Sequence, residues 1–223
     1  LQFLQKQGCD KAQGFFIGRP VPADQIGQWL QQRKLALEQQ RLKALESLKI
    51  MDTPAEQRFD RITRLAKRMF DVPIALITLL DDERQWFKSK VGLDASETPR
   101  EQAFCNYTIE QEKSFIVNDA TLDIRFNDNP LVVNKPHIRF YAGFPFRAPG
   151  GEKLGALCLI DHKPRYISER DSRLLGELAL MVEEEIATNQ LLCEDHLTGL
   201  LNRRGFEFRA NHILQMCRNQ DCE

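Results

Sequence analysis

The run IALITLL at positions 74–80 constrains this chain most. It carries one hydroxyl and no charge, and it lies between Pro73 and the acidic turn DDE. A short apolar run bounded by turn signals suits a buried strand. RQWFKSKVG (84–92) follows the turn and reads as its hairpin partner. SFIVND (114–119), IRFYAGFPFRA (138–148) and KLGALCLIDHKPR (153–165) add three strands, the last two joined by a PGG turn. Two helical patterns precede the first strand. LALEQQRLKALESLKI sets Leu35, Leu42, Leu45 and Leu48 at helical spacing. EQRFDRITRLAKRMF sets Phe59, Ile62, Leu65, Ala66 and Met69 along one face. TPREQAFCNYTIEQ reads as helical after Pro99, and ATLDIRFNDNPLVVNKP as a long loop holding a helical turn. The sum is an α+β domain with an antiparallel sheet of five to six strands and helices on one face. A loop over the other face makes a natural container for a small molecule.

Blocks of different pattern flank this domain. Residues 1–31 hold one short apolar strand, GFFI, and the start of a helix at ADQIGQWLQQ. Such a pair cannot bury a core alone, and a detached strand is an aggregation hazard unless docked. At the other end, Ser168 and Asp171 form the start of a capping box. Leu175, Leu178, Val182 and Ile186 then recur every three or four residues. That spacing reads as a coiled-coil-like seam. The boundaries are 1–31, 32–190 and 191–223.

The formal net charge of −1 gives no electrostatic reason to expect a nucleic-acid partner. No apolar run approaches the ~20 residues of a membrane span. Six cysteines in 223 residues form no CxxC pair and do not cluster with histidine, so no metal site is expected. Sparse, scattered thiols suit a cytoplasmic protein.

The phrases FCNYTI, VNDATLDIRFNDNP, IRFYAGFPF and LGALCLIDHKPR give the middle block, 32–190, a strong resemblance to a GAF domain of a bacterial sensory subgroup, covering about 40–190. The resemblance implies a sensor of small ligands, such as cyclic nucleotides, bilins, haem or amino-acid derivatives, or a domain serving dimerisation alone. It leaves the cofactor unknown. At 195–206, DHLTGLLNRRGF resembles the DxLTGLxNRR start of GGDEF domains, the diguanylate cyclases. Asp195, Leu197, Thr198, Gly199, Leu200, Asn202, Arg203 and Arg204 match it. In that family the phrase couples a sensor's exit helix to the cyclase, and the catalytic carboxylates lie further downstream. Residues 1–26 resemble the closing GCDxxQGxxxxxPxP of an EAL domain, the cyclic di-GMP phosphodiesterase, with Gln13 at a polar active-site position. The catalytic residues of both families are absent from the chain, so it is not expected to be an enzyme itself. The resemblances imply the regulatory middle of a cyclic di-GMP signalling protein. It would dimerise through helices at about 33–49 and 168–193 and act on its own GGDEF and EAL domains.

Candidate ligand residues are Cys105, Tyr107, Asp119, Asp123, Arg139 and Tyr141. Cys105 is a reactive thiol if its pKa is lowered and a small core residue otherwise. Cys158, inside LGALCLID, reads as core. A methionine-sulfoxide reductase would need clustered reactive cysteines, and these two lie far apart in sequence. Asp119 and Asp123 crowd a loop where side chains of this type brace turns, with Arg125 paired to a carboxylate. Arg139 and Tyr141 share one parity of a strand and point either to the helices or to a pocket. Candidate coupling residues are Leu175, Leu178, Val182, Ile186, Asp195, Leu197, Thr198, Asn202 and Arg203.

Overall fold

The computed structural model describes residues 22–193 and residues 200, 202, 203, 206 and 210. The strand expected at GFFI, Gln13, and the coupling residues Asp195, Leu197 and Thr198 lie outside the described residues. The chain divides into two compact units, Leu1–Gln39 and Gln40–Glu223. A 3₁₀ turn at Ala23–Gln25 leads into helix α1, Ile26–Leu48. The pattern boundary at 31/32 therefore falls inside one continuous helix. Within the first unit, the Arg33 guanidinium lies 5.3 Å from the Trp29 ring, a one-turn pairing on the helix surface.

The second unit is built on a six-stranded antiparallel sheet of order β3-β2-β1-β6-β5-β4. Its strands are β1 (Ile74–Leu80), β2 (Arg84–Val91), β3 (Glu97–Pro99), β4 (Phe115–Val117), β5 (Phe140–Arg147) and β6 (Lys153–Asp161). The hairpins β1–β2 and β5–β6 are those expected. β3 is an added edge strand, and it pairs Glu97 with Trp86. The helical pattern after Pro99 shrinks to a 3₁₀ turn at Arg100–Gln102 and a short helix α3, Cys105–Thr108. Helix α4, Pro130–Val133, is the helical turn expected in the long loop. Asn129 caps it by accepting from the Leu131 amide at 2.9 Å, and Pro130 occupies its first turn.

Every residue of β1 is buried because both faces of the sheet are covered. Ala75, Ile77 and Leu79 point to one core, and Ile74, Leu76 and Leu80 point to the other. Period-two alternation of this kind leaves no polar face for the sequence to display.

The first core lies under helix α2 (Gln57–Met69), helix α5 (Glu169–Cys193) and the end of α1. From α2 it takes Phe59, Ile62 and Ala66. Leu65 and Met69, expected on the same face, are 41% and 47% exposed. Thr63 takes a buried place instead, donating to backbone carbonyls of its own helix and bonding Ser89 Oγ at 2.8 Å. Lys88 of β2 has a fully buried side chain. Its ammonium pairs with Glu56 Oε1 at 2.6 Å and donates to Pro54 O at 3.1 Å, so it pins the α1–α2 connection. Burial pushes the Lys88 pKa down, and the hydrogen bond to Glu56 opposes it.

Helix α5 begins at the expected capping box. Ser168 Oγ contacts Asp171 Oδ2 at 2.8 Å, and the Asp171 amide donates back to Ser168 Oγ at 3.2 Å. Leu175, Leu178, Val182 and Ile186 are all buried in the first core. They form a helix-on-sheet stripe within one protomer, which corrects the reading of them as a seam between helices. A helix uses the same three-and-four spacing to face either kind of neighbour. Gly176 lets α5 approach β5 closely: a Cβ there would lie 2.9 Å from Phe144 Cε2. At the far end, Arg58 Nη1 donates to Glu185 O at 2.8 Å and ties α2 to α5.

Candidate functional site

The second core lies under α3, α4 and the loop between β4 and β5. Its cover is aromatic. Phe104 stacks on Phe126 with centroids 4.0 Å apart, and Tyr107 meets Phe126 edge-on at 5.0 Å. The Arg125 guanidinium lies 4.8 Å from the Phe115 ring and 5.6 Å from the Tyr107 ring. Such contacts orient a partly exposed cation over an apolar cluster.

Beneath these rings sits a knot of five polar side chains. Tyr141 Oη lies 2.6 Å from Thr108 Oγ1, 3.2 Å from Cys105 Sγ and 3.5 Å from Cys158 Sγ. The two sulfurs are 3.2 Å apart. Thr78 Oγ1, the one hydroxyl of IALITLL, lies 3.3 Å from Cys105 Sγ and 3.1 Å from Ala156 O. All five are buried. Gly143 leaves the space they need, since a Cβ there would lie 2.2 Å from Tyr141 Oη and 2.7 Å from Thr108 Oγ1.

The electrostatics divide the two thiols. Burial raises the Cys158 pKa well above its ordinary value, and the hydrogen bond to Cys105 raises it further. Burial also acts to raise Cys105, but hydrogen bonds from Cys158, Thr78 and Tyr141 outweigh it and bring Cys105 below its ordinary value. Burial, then charge repulsion from the thiolates, lifts the Tyr141 phenol well above 10. Cys105 is thus the first of the three to lose a proton, and the other two donate to it.

The candidate residues separate accordingly. Cys105 and Tyr141 meet in the knot, and Tyr107 joins its aromatic cover. Tyr141 and Phe140 take opposite faces of β5, which resolves the parity of that strand. Arg139 does not accompany Tyr141. Its Nη1 donates to Val132 O and Ile138 O, both at 3.0 Å, and so braces α4. Asp119 accepts from Thr121 N and Oγ1 at 3.0 and 2.7 Å. Asp123 accepts from Arg125 N and Nε at 3.0 and 2.8 Å. Both aspartates are turn braces, and the hydrogen bond from Arg125 holds the Asp123 carboxyl below its ordinary range. Asn202 O accepts from the Phe206 amide at 2.9 Å, and the Arg203 side chain is exposed. Among the described residues no cluster of three or more His, Cys, Asp or Glu is arranged to hold a metal ion. No described helix is long and apolar enough to cross a membrane.

Sequence reasoning missed Thr78, Thr108 and the role of Cys158. The signal for Thr78 was its hydroxyl inside an otherwise aliphatic strand. No spacing links Cys105 to Cys158, 53 residues apart.

Comparison with known proteins gives this geometry a family. Over 164 residues the chain is 44% identical to a cyclic di-GMP phosphodiesterase of Pseudomonas aeruginosa, covering 71% of this chain and 27% of that protein. The chain thus spans about a quarter of the length of that relative. Among solved structures, the GAF domain of an Acinetobacter phosphoenolpyruvate-protein phosphotransferase superposes with a TM-score of 0.52 at 17% identity, over 72% of this chain and 96% of that one. The corresponding GAF domain from Coxiella burnetii gives a TM-score of 0.47 at 17% identity, over 66% and 95%. The GAF domain model matches residues 54–186, which contain the whole sheet, α2 and the buried stretch of α5; this chain belongs to the GAF domain family.

Proposed function

We propose that this chain is the regulatory module of a bacterial cyclic di-GMP turnover protein, acting as a homodimer and passing changes in its core to catalytic domains through α5. The observation that carries this reading is the 44% identity to a cyclic di-GMP phosphodiesterase. The EAL-like phrase before the domain and the GGDEF-like phrase after it agree with that setting. Continuity of α5 from its cap at Ser168 to Cys193 supplies a rigid output element. Because Leu175, Leu178, Val182 and Ile186 are occupied by the sheet, pairing of two protomers falls to other residues. Leu180 and Met181 on α5 are 49% and 43% exposed. They supply an apolar face to that partner, along with Leu65 and Met69 on α2.

One observation favours a module without a resident small-molecule ligand. Cys105, Tyr141, Phe126 and Phe104 pack on one another, and the polar atoms of the knot satisfy each other. A ligand held by Cys105 or Tyr141 would have to displace these contacts and the loop bearing Asp123 and Arg125.

Native and denaturing mass spectrometry of the purified chain tests both points. A dimer with no added mass is expected, and the double variant L180E/M181E should be monomeric. A monomeric wild-type chain at high concentration would overturn the dimer. An added mass on each protomer would restore the ligand-sensing reading.

A further inference from the structure

We propose that Cys105 and Cys158 form a redox site, closing to an intramolecular disulfide when the chain meets a small hydroperoxide. As an input to the regulatory module this rests on the function proposed above; as chemistry it stands apart from it. The geometry carries the argument. The sulfurs approach to 3.2 Å without a bond, and bonding at ~2 Å needs a shift of about 1 Å, within the reach of side-chain rotation. The partners come from α3 and β6, which meet in the second core.

The neighbours divide the labour. Cys105 receives hydrogen bonds from Tyr141, Thr78 and Cys158 and is the attacking sulfur. Its thiolate attacks one peroxide oxygen. An S–O bond forms and the O–O bond breaks. The departing alkoxide takes up a proton and leaves as the alcohol. Cys158 then attacks the sulfenic sulfur of Cys105. The S–S bond forms, the S–O bond breaks, and hydroxide leaves with the Cys158 proton as water. Two thiols and one hydroperoxide become one disulfide, one alcohol and one water, with two electrons passing from sulfur to oxygen. A thiol reductant reverses the bond by exchange.

Burial sets the rate and the selectivity. Neither sulfur is open to solvent, so oxidation follows local opening of the covering loop. That loop carries Leu122 and Ile124 more than four-fifths exposed. Its hold on the core comes instead from Phe126, which is 1% exposed. The disulfide forms beside Tyr141 Oη, which lies 3.2 and 3.5 Å from the two sulfurs, and it removes both S–H protons from the knot.

The folded chain is treated with graded hydrogen peroxide, alkylated and mapped by peptide mass spectrometry. A peptide linking Cys105 to Cys158, two hydrogens lighter and reversed by dithiothreitol, is expected before any link to another cysteine. C158S should abolish the link and leave Cys105 trappable by dimedone as a sulfenic acid. C105A should slow oxidation of Cys158 at least tenfold, and circular dichroism confirms that each variant is folded. A folded wild-type chain without the Cys105–Cys158 link, or one that forms it only in denaturant, overturns the proposal. The oligomeric state measured on the same samples separates the two ideas. A linked pair in a monomer keeps the redox site and discards the dimeric module, and an unlinked pair in a dimer does the reverse.

Discussion

The two faces of the sheet are covered by different means. The helical face is a broad apolar contact, with α2 and α5 packed on the strands and ion pairs such as Lys88–Glu56 fastening the connection between helices. The opposite face is covered by short elements and a loop. Its centre holds five polar side chains under stacked rings. Packing of the first kind resists displacement because each buried side chain touches many neighbours. The second kind stores its specificity in a few directional contacts, and single atoms can alter it. The domain therefore has one side held by broad apolar packing, which carries α5, and one side held by a few directional polar contacts.

That contrast can be broken in order of effect. Removing the Phe59 ring from the helical face, with F59A, should cost about 3–5 kcal/mol. Denaturant unfolding of the chain measures it. A loss under ~1 kcal/mol would show that the helical face is loosely packed.

Gly143→Ala attacks the other face by overpacking. The new methyl meets Tyr141 Oη, and a loss of about 1–3 kcal/mol is expected, together with altered near-ultraviolet circular dichroism from Tyr141. An unchanged spectrum would mean that the knot relaxes freely.

Tyr141→Phe is subtler. It keeps the ring and deletes one hydroxyl, so stability should fall by about 1 kcal/mol. Cys105 loses a donor and its thiolate fraction falls. The remaining thiolate is more nucleophilic, so peroxide oxidation should slow only about threefold. A faster rate would assign Tyr141 a shielding role.

The smallest effect belongs to the helical face. Glu183 Oε1 accepts from the Arg147 amide at 2.7 Å, and burial raises its carboxyl above the ordinary range. A raised carboxyl favours the protonated state in the fold, so its contribution to stability is present at acid pH and is lost as pH rises through the folded value. Glu183→Gln keeps the acceptor without the charge. It should gain no more than about 0.5 kcal/mol at pH 7, since solvent screens the partly exposed carboxylate. The gain should vanish below pH ~4. A gain that persists in acid would point to packing rather than charge.

Several elements were legible because their cause is local. The β1–β2 and β5–β6 hairpins follow from apolar runs closed by turn residues, and the α5 cap follows from Ser168 and Asp171 alone. Asp123 and Arg125 pair within one turn, so bracing was readable there. The edge strand β3 was not readable. Three residues, one of them Pro99, carry no strand period, and pairing with β2 alone makes them a strand. Leu65 and Met69 matched the apolar stripe of α2 yet lie outside the contact, because the sheet takes a narrower face than the pattern offers. The candidate site was half legible. Cys105 and Tyr141 were singled out, while Cys158 looked like any other buried strand residue.

By itself, the sequence determined the kind of domain this is: the order of the long helices and the main strands, the hairpins, the cap of α5 and the phrases that resemble a GAF domain. These depend on residues near one another along the chain, where spacing and turn chemistry act directly. Only the tertiary structure decided which face of β5 Tyr141 takes, that the stripe of α5 is spent on its own sheet, and that Cys105 meets Cys158. Each of those outcomes depends on which distant surface arrives to cover a residue, and a period of two or of three and four is the same whatever that surface turns out to be.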